Sequence, residues 1–127
     1  NAIKNNIINV FGGKQIRPNI HINDMVDIYC FLLKKKIPTG IYNAGFENMS
    51  VISIAKLVSN ITGAKIEVQK SNDPRSYRLD SSKLLKQGFN PKCSVETGIE
   101  DVIEFTKSTK ILKSFFSVKW LKDLSIK

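Results

Sequence analysis

Residues 12–24 read Gly12-Gly13-Lys14-Gln15-Ile16-Arg17-Pro18-Asn19-Ile20-His21-Ile22-Asn23-Asp24, and the fold turns on how this run is divided. The glycine pair reads as a turn that closes the short apolar, β-leaning run before it, 7–11. Residues 16–22 then read as extended chain. Pro18 has no N–H to give a ladder, so this is an edge or irregular segment rather than a central strand. Asn23 is placed to cap a helix, with Asp24 and Asp27 in the first turns, where negative charge meets the positive helix end. Met25, Val26, Tyr29, Cys30, Leu32 and Leu33 recur at helical spacing. Lys34-Lys35-Lys36 marks the C-terminal end, and Pro38 and Gly40 stop the helix. Cys30, inside the apolar run 28–33, is expected as a small core residue. Arg17 lies between a glycine turn and a helix start, a place where a guanidinium fork can meet a phosphate. By itself it reads more readily as a solvated surface arginine.

Downstream, residues 40–45 (Gly-Ile-Tyr-Asn-Ala-Gly) predict a brief strand bounded by glycines. Ser50 predicts the cap of a helix carrying Ile52, Ile54, Ala55, Leu57, Val58 and Ile61, which ends at Gly63. A short strand follows at 65–68. Asp80 predicts the cap of a short helix through Leu84 and Leu85 to Gly88. Ser94 opens another, with Val95, Ile99, Val102, Ile103 and Thr106 on one face, and a last amphipathic stretch covers 111–124. Helices and strands alternate without repeats or low-complexity linkers, which favours an α/β or α+β unit.

Composition narrows the class. The 127 residues suffice for one core, with 42% hydrophobic and 24% charged residues, as in ordinary globular proteins. No apolar run approaches the roughly 18 to 20 residues that a membrane-spanning helix requires. Cys30 and Cys93 are the two cysteines and neither has a CxxC partner, so a reducing cytoplasm is expected; Cys93, after Pro91-Lys92, reads as a surface thiol. The net charge is +9, but six lysines opposed only by Asp123 fall within 107–127, so the body is only mildly basic. That suits a protein whose ligand carries phosphates. The first residue is Asn rather than Met and no signal peptide is legible, so the chain is expected to be an internal piece of something longer.

Three stretches together resemble one family. Gly13-Lys-Gln-Ile-Arg17-Pro18-Asn19-Ile20-His21-Ile22-Asn23-Asp24 is similar to the G-x-x-x-R-D-x-I-H-V-x-D run of NAD-dependent epimerases and dehydratases, the extended short-chain dehydrogenases. Pro18 replaces the usual acidic residue. Gly40-Ile-Tyr-Asn-Ala-Gly45 followed by Ser50 resembles the family's G-x-Y-N-x-G and serine-capped helix. Asn72-Asp73-Pro74-Arg75-Ser76-Tyr77-Arg78-Leu79-Asp80-Ser81-Ser82-Lys83, then Gly88-Phe89-Asn90-Pro91, resembles its D-x-R-x-Y-R-x-D-x-x-K and L-G-(W/F)-x-P stretch. The order and spacing fit over residues 1–106.

The resemblance implies an α/β fold: the C-terminal part of an extended Rossmann-type enzyme, with outer strands of the parallel sheet plus a small α+β substrate-binding domain. It divides the chain into a remnant of the dinucleotide-binding domain at 1–45, the small domain at 46–106, and a basic amphipathic helix or tail at 107–127. It implies that Arg17 grips the diphosphate of a nucleotide sugar, with Arg75 and Arg78 closing over the same ligand. Tyr77 would stack or hydrogen-bond there, or serve as a half-buried aromatic. Asp73 would take a ribose hydroxyl, or make a turn beside Pro74. His21, the only histidine, lies between two isoleucines with no nucleophile tied to it and reads as structural. No metal-ligand spacing occurs.

The family's Gly-x-x-Gly-x-x-Gly fingerprint and catalytic Tyr-x-x-x-Lys are not found here: Tyr29, Tyr42 and Tyr77 are followed four residues later by Leu33, Phe46 and Ser81. Such a chain is expected to bind no cofactor and run no reaction alone. NAD or NADP would bind the parent, whose N-terminal Rossmann half would be this chain's partner, with a homodimer of the parent a further possibility. The rival reading is a basic binding module. In it, 111–124 lies on an anionic membrane or grips single-stranded nucleic acid through Trp120; the plainer reading is a helix packed on the body, with neither partner expected.

Overall fold

A computed structural model describes residues 2–117, with side chains described through Thr109. A short helix α1 (Ala2–Asn5) leads into strand β1 (Ile7–Phe11), then β2 (Ile16–Asn19) and helix α2 (Ile22–Lys34). Strand β3 (Glu47–Ser50) runs directly into helix α3 (Val51–Thr62), followed by β4 (Lys65–Gln69), the short α4 (Ser82–Leu85) and the long α5 (Val95–Ser117). The fold is α/β, with a parallel pair. β1 lies parallel to β4, Ile7 opposite Lys65 and Phe11 opposite Gln69. β2 lies antiparallel to β3, with Arg17 opposite Met49 and Pro18 opposite Asn48. Both ladders join a strand before position 45 to one after it.

The glycine turn is the junction of the two ladders. Gly12 and Gly13 both have positive φ, 79° and 97°, and the Gly13 carbonyl accepts from the Ile52 amide at 2.9 Å. The Gln15 carbonyl accepts from Val51 at 3.1 Å, so the turn also satisfies the first amides of α3. Ser50 caps that helix as the sequence predicts, its hydroxyl accepting from the Ser53 amide at 3.1 Å, and Gly63 closes it in the left-handed conformation.

One cluster of the core joins Ile28 of α2 to Leu84 and Phe89, with Ile20, Phe31, Tyr42, Ala44 and Phe46 packed around it. Phe89 meets Phe31 edge-on at 5.6 Å and stacks on Phe46 at 5.7 Å between ring centres. The Gly88-Phe89-Asn90-Pro91 stretch is thus the plug between α2 and the chain after it. Buried Asp24 fixes its exit: the carboxylate accepts from the Lys92 and Cys93 amides at 2.8 and 3.1 Å. Burial, with the Asp24 charge next, pushes the half-buried Cys93 thiol up from its ordinary value, which disfavours the reactive thiolate.

Several expectations give way. The helix cap is His21, not Asn23: its Nδ1 accepts from the Asn23 amide at 3.2 Å while its Nε2 faces Asp101 of α5 at 3.2 Å. The imidazole thereby bridges two helices. Residues 40–45 form no strand; the strand begins later, at Glu47, because that is where β2 supplies a ladder. Cys30 is exposed. The apolar stripe of α2 is wider than the one cluster it covers, and Ile22, Val26, Tyr29 and Leu33 also lie open, as does Ile41. α5 continues without a break through Ser117, so the segment at 111–124 starts inside it, and the rest, Trp120 included, lies outside the described residues.

The two left-handed glycines set up a contrast in stability. A Cβ at Gly13 would meet Val10 Cγ1 and Ile52 Cβ at 3.2 Å, whereas one at Gly63 would meet nothing within 4 Å. Gly63→Ala is expected to cost only the backbone term, about 1 kcal/mol. Gly13→Ala adds crowding against buried Val10 and is expected to cost roughly 2–4 kcal/mol. Thermal or denaturant melts of the two variants check this; equal losses would remove the steric role assigned to Gly13.

Candidate functional site

Residues 70–80 have no helix or strand of their own, so their peptide groups need partners elsewhere. They find them along β2 and β3. The Tyr77 amide donates to the Ile16 carbonyl at 3.2 Å, and the Ile16 amide donates to the Ser76 hydroxyl at 3.0 Å. Asn48 stands in for a third strand: its amide group accepts from Leu79 N at 2.9 Å and donates to Leu79 O at 3.0 Å. At the end of the run, buried Ser81 exchanges two 3.0 Å hydrogen bonds with the backbone of Gly45. A Cβ on Gly45 would stand 3.1 Å from Pro18 and 3.2 Å from Leu79, so the strap, β2 and the Tyr42-Asn43-Ala44-Gly45 stretch meet at a point where only glycine fits easily.

That seating brings distant site residues together. Arg17 Nη2 lies 3.2 Å from Asp73 Oδ2, while its Nη1 donates to the Ile16 carbonyl at 3.1 Å and to the Arg75 carbonyl. Arg75 presents its fork to the same carboxylate, Nε to Oδ1 at 2.7 Å and Nη2 to Oδ2 at 2.9 Å. Asp73 Oδ1 also accepts from the Arg75 amide at 3.1 Å, a turn across Pro74. The turn role foreseen beside Pro74 is therefore present. Tyr77 is exposed rather than half-buried, with the Arg17 guanidinium 5.4 Å from its ring centre, a cation–π contact. Arg78 is exposed and makes no hydrogen bond or ion pair with any described residue. Four of the five candidates converge; Arg78 stands apart.

The electrostatics follow from this geometry. Hydrogen bonds from the Arg75 side chain hold the Asp73 carboxyl down at about 2, from an ordinary 3.8, and the Arg75 guanidinium is correspondingly held more firmly protonated. Two guanidinium groups and one carboxylate leave a net positive, partly exposed site with N–H groups to spare: Arg75 Nη1 makes none of these bonds. It can bind an anion. Among the described residues no group of three or more His, Cys, Asp or Glu is placed to hold a metal.

Sequence patterning assigns no role to Asn48, Ser76 and Ser81, which seat the strap. Each is an uncharged residue whose role depends on what lies opposite. The one clue was an asparagine two residues before the serine cap, and by itself it points nowhere.

Comparison with known proteins gives the class. No family model matches the chain. Human dTDP-D-glucose 4,6-dehydratase is 33% identical over 107 residues, the match taking in 73% of this chain and 30% of that enzyme. An anthocyanidin reductase from Vitis vinifera is 27% identical over 97 residues, 74% of this chain and 29% of that enzyme. The UDP-glucose 4-epimerase of Thermotoga maritima, solved with UDP-glucose, superimposes with a TM-score of 0.70 at 24% identity, over 85% of this chain and 37% of that one. Other solved neighbours are NAD-dependent or hold NADPH or NAD. The fold is that of a Rossmann-type epimerase or dehydratase over part of its length. The curated relatives and solved neighbours of the chain are members of the NAD-dependent epimerase/dehydratase family of extended short-chain dehydrogenases, matched at modest identity, and the chain spans about 30% of the curated relatives' length. No helix among the described residues is long and apolar enough to cross a membrane.

The depressed carboxyl predicts a pH signature. A group whose folded value lies below its unfolded one stabilises the fold above the unfolded value, and that contribution is lost as pH falls through the folded value. The unaltered chain should therefore melt higher than Asp73→Asn near pH 6, and the gap should close between about pH 4 and pH 2. Paired melts across this range check it; a gap that persists at pH 2 would show that the carboxylate charge is not its source.

Proposed function

We propose that this chain is the nucleotide-sugar-binding part, from the C-terminal side, of an NAD(P)-dependent sugar epimerase or dehydratase. The observation that carries the reading is the convergence of Arg17 and Arg75, 58 positions apart, on one carboxylate. A site that seats an anion between two guanidinium forks is suited to a diphosphate, whose oxygens accept parallel hydrogen bonds from planar donors. Relatives that act on nucleotide sugars support the substrate class. The reductase relatives leave the family's reach wider than sugars. Arg78, exposed nearby, and Tyr77 would close over the ligand.

The partner in this reading is the Rossmann half of the same protein, which brings the cofactor and the catalytic tyrosine and lysine. The open face of α2 suits such a neighbour: Leu33 is 88% exposed, and Ile22, Val26 and Tyr29 on the same helix also lie open. An apolar face of this kind is normally covered. In this reading 1–45, with α2, belongs to the dinucleotide-binding side and 46–106 is the small substrate-binding domain, with β1 and β2 pairing across that division to β4 and β3. A cytoplasmic enzyme fits this chemistry. The membrane or nucleic-acid reading rests on 111–124, whose side chains lie outside the described residues.

The test is made in the complete protein, with Arg17→Ala, Arg17→Lys, Arg75→Ala and the double alanine variant. Each alanine is expected to weaken nucleoside-diphosphate binding by roughly tenfold to a hundredfold. Lysine should substitute poorly at Arg17, because it keeps the charge and loses the fork. Losses should be non-additive, since both residues act on one diphosphate. An alanine variant that binds as well as the parent removes that arginine from the site. The 127-residue chain by itself is expected to give no calorimetric signal with NAD at micromolar levels, and binding there would overturn the division of labour proposed.

A further inference from the structure

We propose that Asp73 is a built-in counter-anion for the arginine pair: its carboxylate holds the place of a ligand phosphate, and an incoming diphosphate must displace it. This rests on reading Arg17 and Arg75 as the diphosphate-binding residues, and it concerns how that same site selects its ligand. The fork of Arg75 grips both Asp73 oxygens, at 2.7 and 2.9 Å, in the planar arrangement that it would offer a phosphate. Oδ2 also reaches Arg17 at 3.2 Å, so one carboxylate bridges the two guanidinium groups. Among the described residues, Asp73 is the only acidic group paired with either arginine.

The Asp73 side chain can turn aside without breaking the strap's other anchors. Asp73 precedes Pro74 in a stretch without helix or strand, and the strap's other anchors, at Ser76, Tyr77, Leu79 and Ser81, all lie beyond it. Turning the carboxylate aside breaks no ladder. Its own turn bond to the Arg75 amide, at 3.1 Å, is the one backbone contact given up.

The consequence is selectivity by charge. Two guanidinium groups carry two positive charges and Asp73 cancels one of them. A singly charged anion that replaces Asp73 exchanges like for like and gains nothing. A diphosphate brings at least two charges to the same pair and gains the difference. Asp73 thus sets a threshold that keeps the site closed to chloride and small carboxylates and opens it to a multiply charged ligand.

The test uses the 127-residue chain, with inorganic pyrophosphate as the probe and acetate as the singly charged control, by calorimetry at low salt. Asp73→Asn keeps the shape and the acceptor for the Arg75 amide without the charge; Asp73→Ser keeps a turn-forming oxygen alone. Both variants are expected to bind pyrophosphate about three- to tenfold more tightly than the unaltered chain and to gain measurable acetate binding. If the unaltered chain binds pyrophosphate and the variants bind it no better, Asp73 positions the arginines and the inference falls while the site assignment stands. If none of the three binds it, the site assignment falls and takes the inference with it. Should neither variant fold, the unaltered chain decides: exchange of the Arg75 amide should accelerate as pyrophosphate saturates the site, and slowed or unchanged exchange overturns displacement.

Discussion

An irregular segment laid against a sheet must satisfy its peptide groups without a ladder, and the arrangement of this molecule follows from how residues 70–80 do so. The strap borrows one carbonyl and one amide from Ile16, a whole amide group from Asn48, and a serine clasp on Gly45. Those contacts fix where Asp73 and Arg75 stand relative to Arg17. In a regular strand Asp73 and Arg75, two positions apart, would still share a face, but a ladder would take up the Arg75 amide that here closes the turn on Asp73 Oδ1.

The same constraint explains the two small ladders. β2 is an edge on one side because Pro18 cannot donate, and the side that stays free is where the strap's Ser76 hydroxyl and Tyr77 amide dock. β1 and β4 form a separate parallel pair behind α3, tied to the first ladder through the Gly12-Gly13 turn. The turn is thus shared: it closes β1, starts β2 and supplies carbonyls to α3. A rigid junction at that point keeps Arg17 in register with the strap on one side and with the helix on the other.

The arginine pair can hold charge, and the carboxylate between the two guanidinium groups is held down at about 2 by Arg75 and Arg17. His21, the residue most tempting as a catalyst, is spent on a cap and on Asp101, and α5 presses so closely that a Cβ at Gly98 would come within 2.9 Å of the imidazole. A group so confined is structural. The open face of α2 shows the opposite condition, apolar surface that the described residues leave uncovered.

By itself, the sequence determined the local features. The Gly12-Gly13 turn, the Ser50 cap with its Gly63 stop, the edge character forced by Pro18 and the helical stripes are consequences of single side chains acting on their own backbone, so they could be read without neighbours. The order of three motifs gave the family and the α/β class, and with it the names of Arg17, Asp73, Arg75, Tyr77 and Arg78. Tertiary structure decided what local rules leave open. Whether residues 40–45 or 47–50 become the strand depends on where β2 lies, and whether Cys30 is core or surface depends on how wide a face α2 has to cover. That Asp73 bridges two arginines while Arg78 points to none of them was settled by the strap's seating on Ile16, Asn48 and Gly45. Those contacts span 31 to 60 positions of sequence, a range over which spacing carries no information about distance.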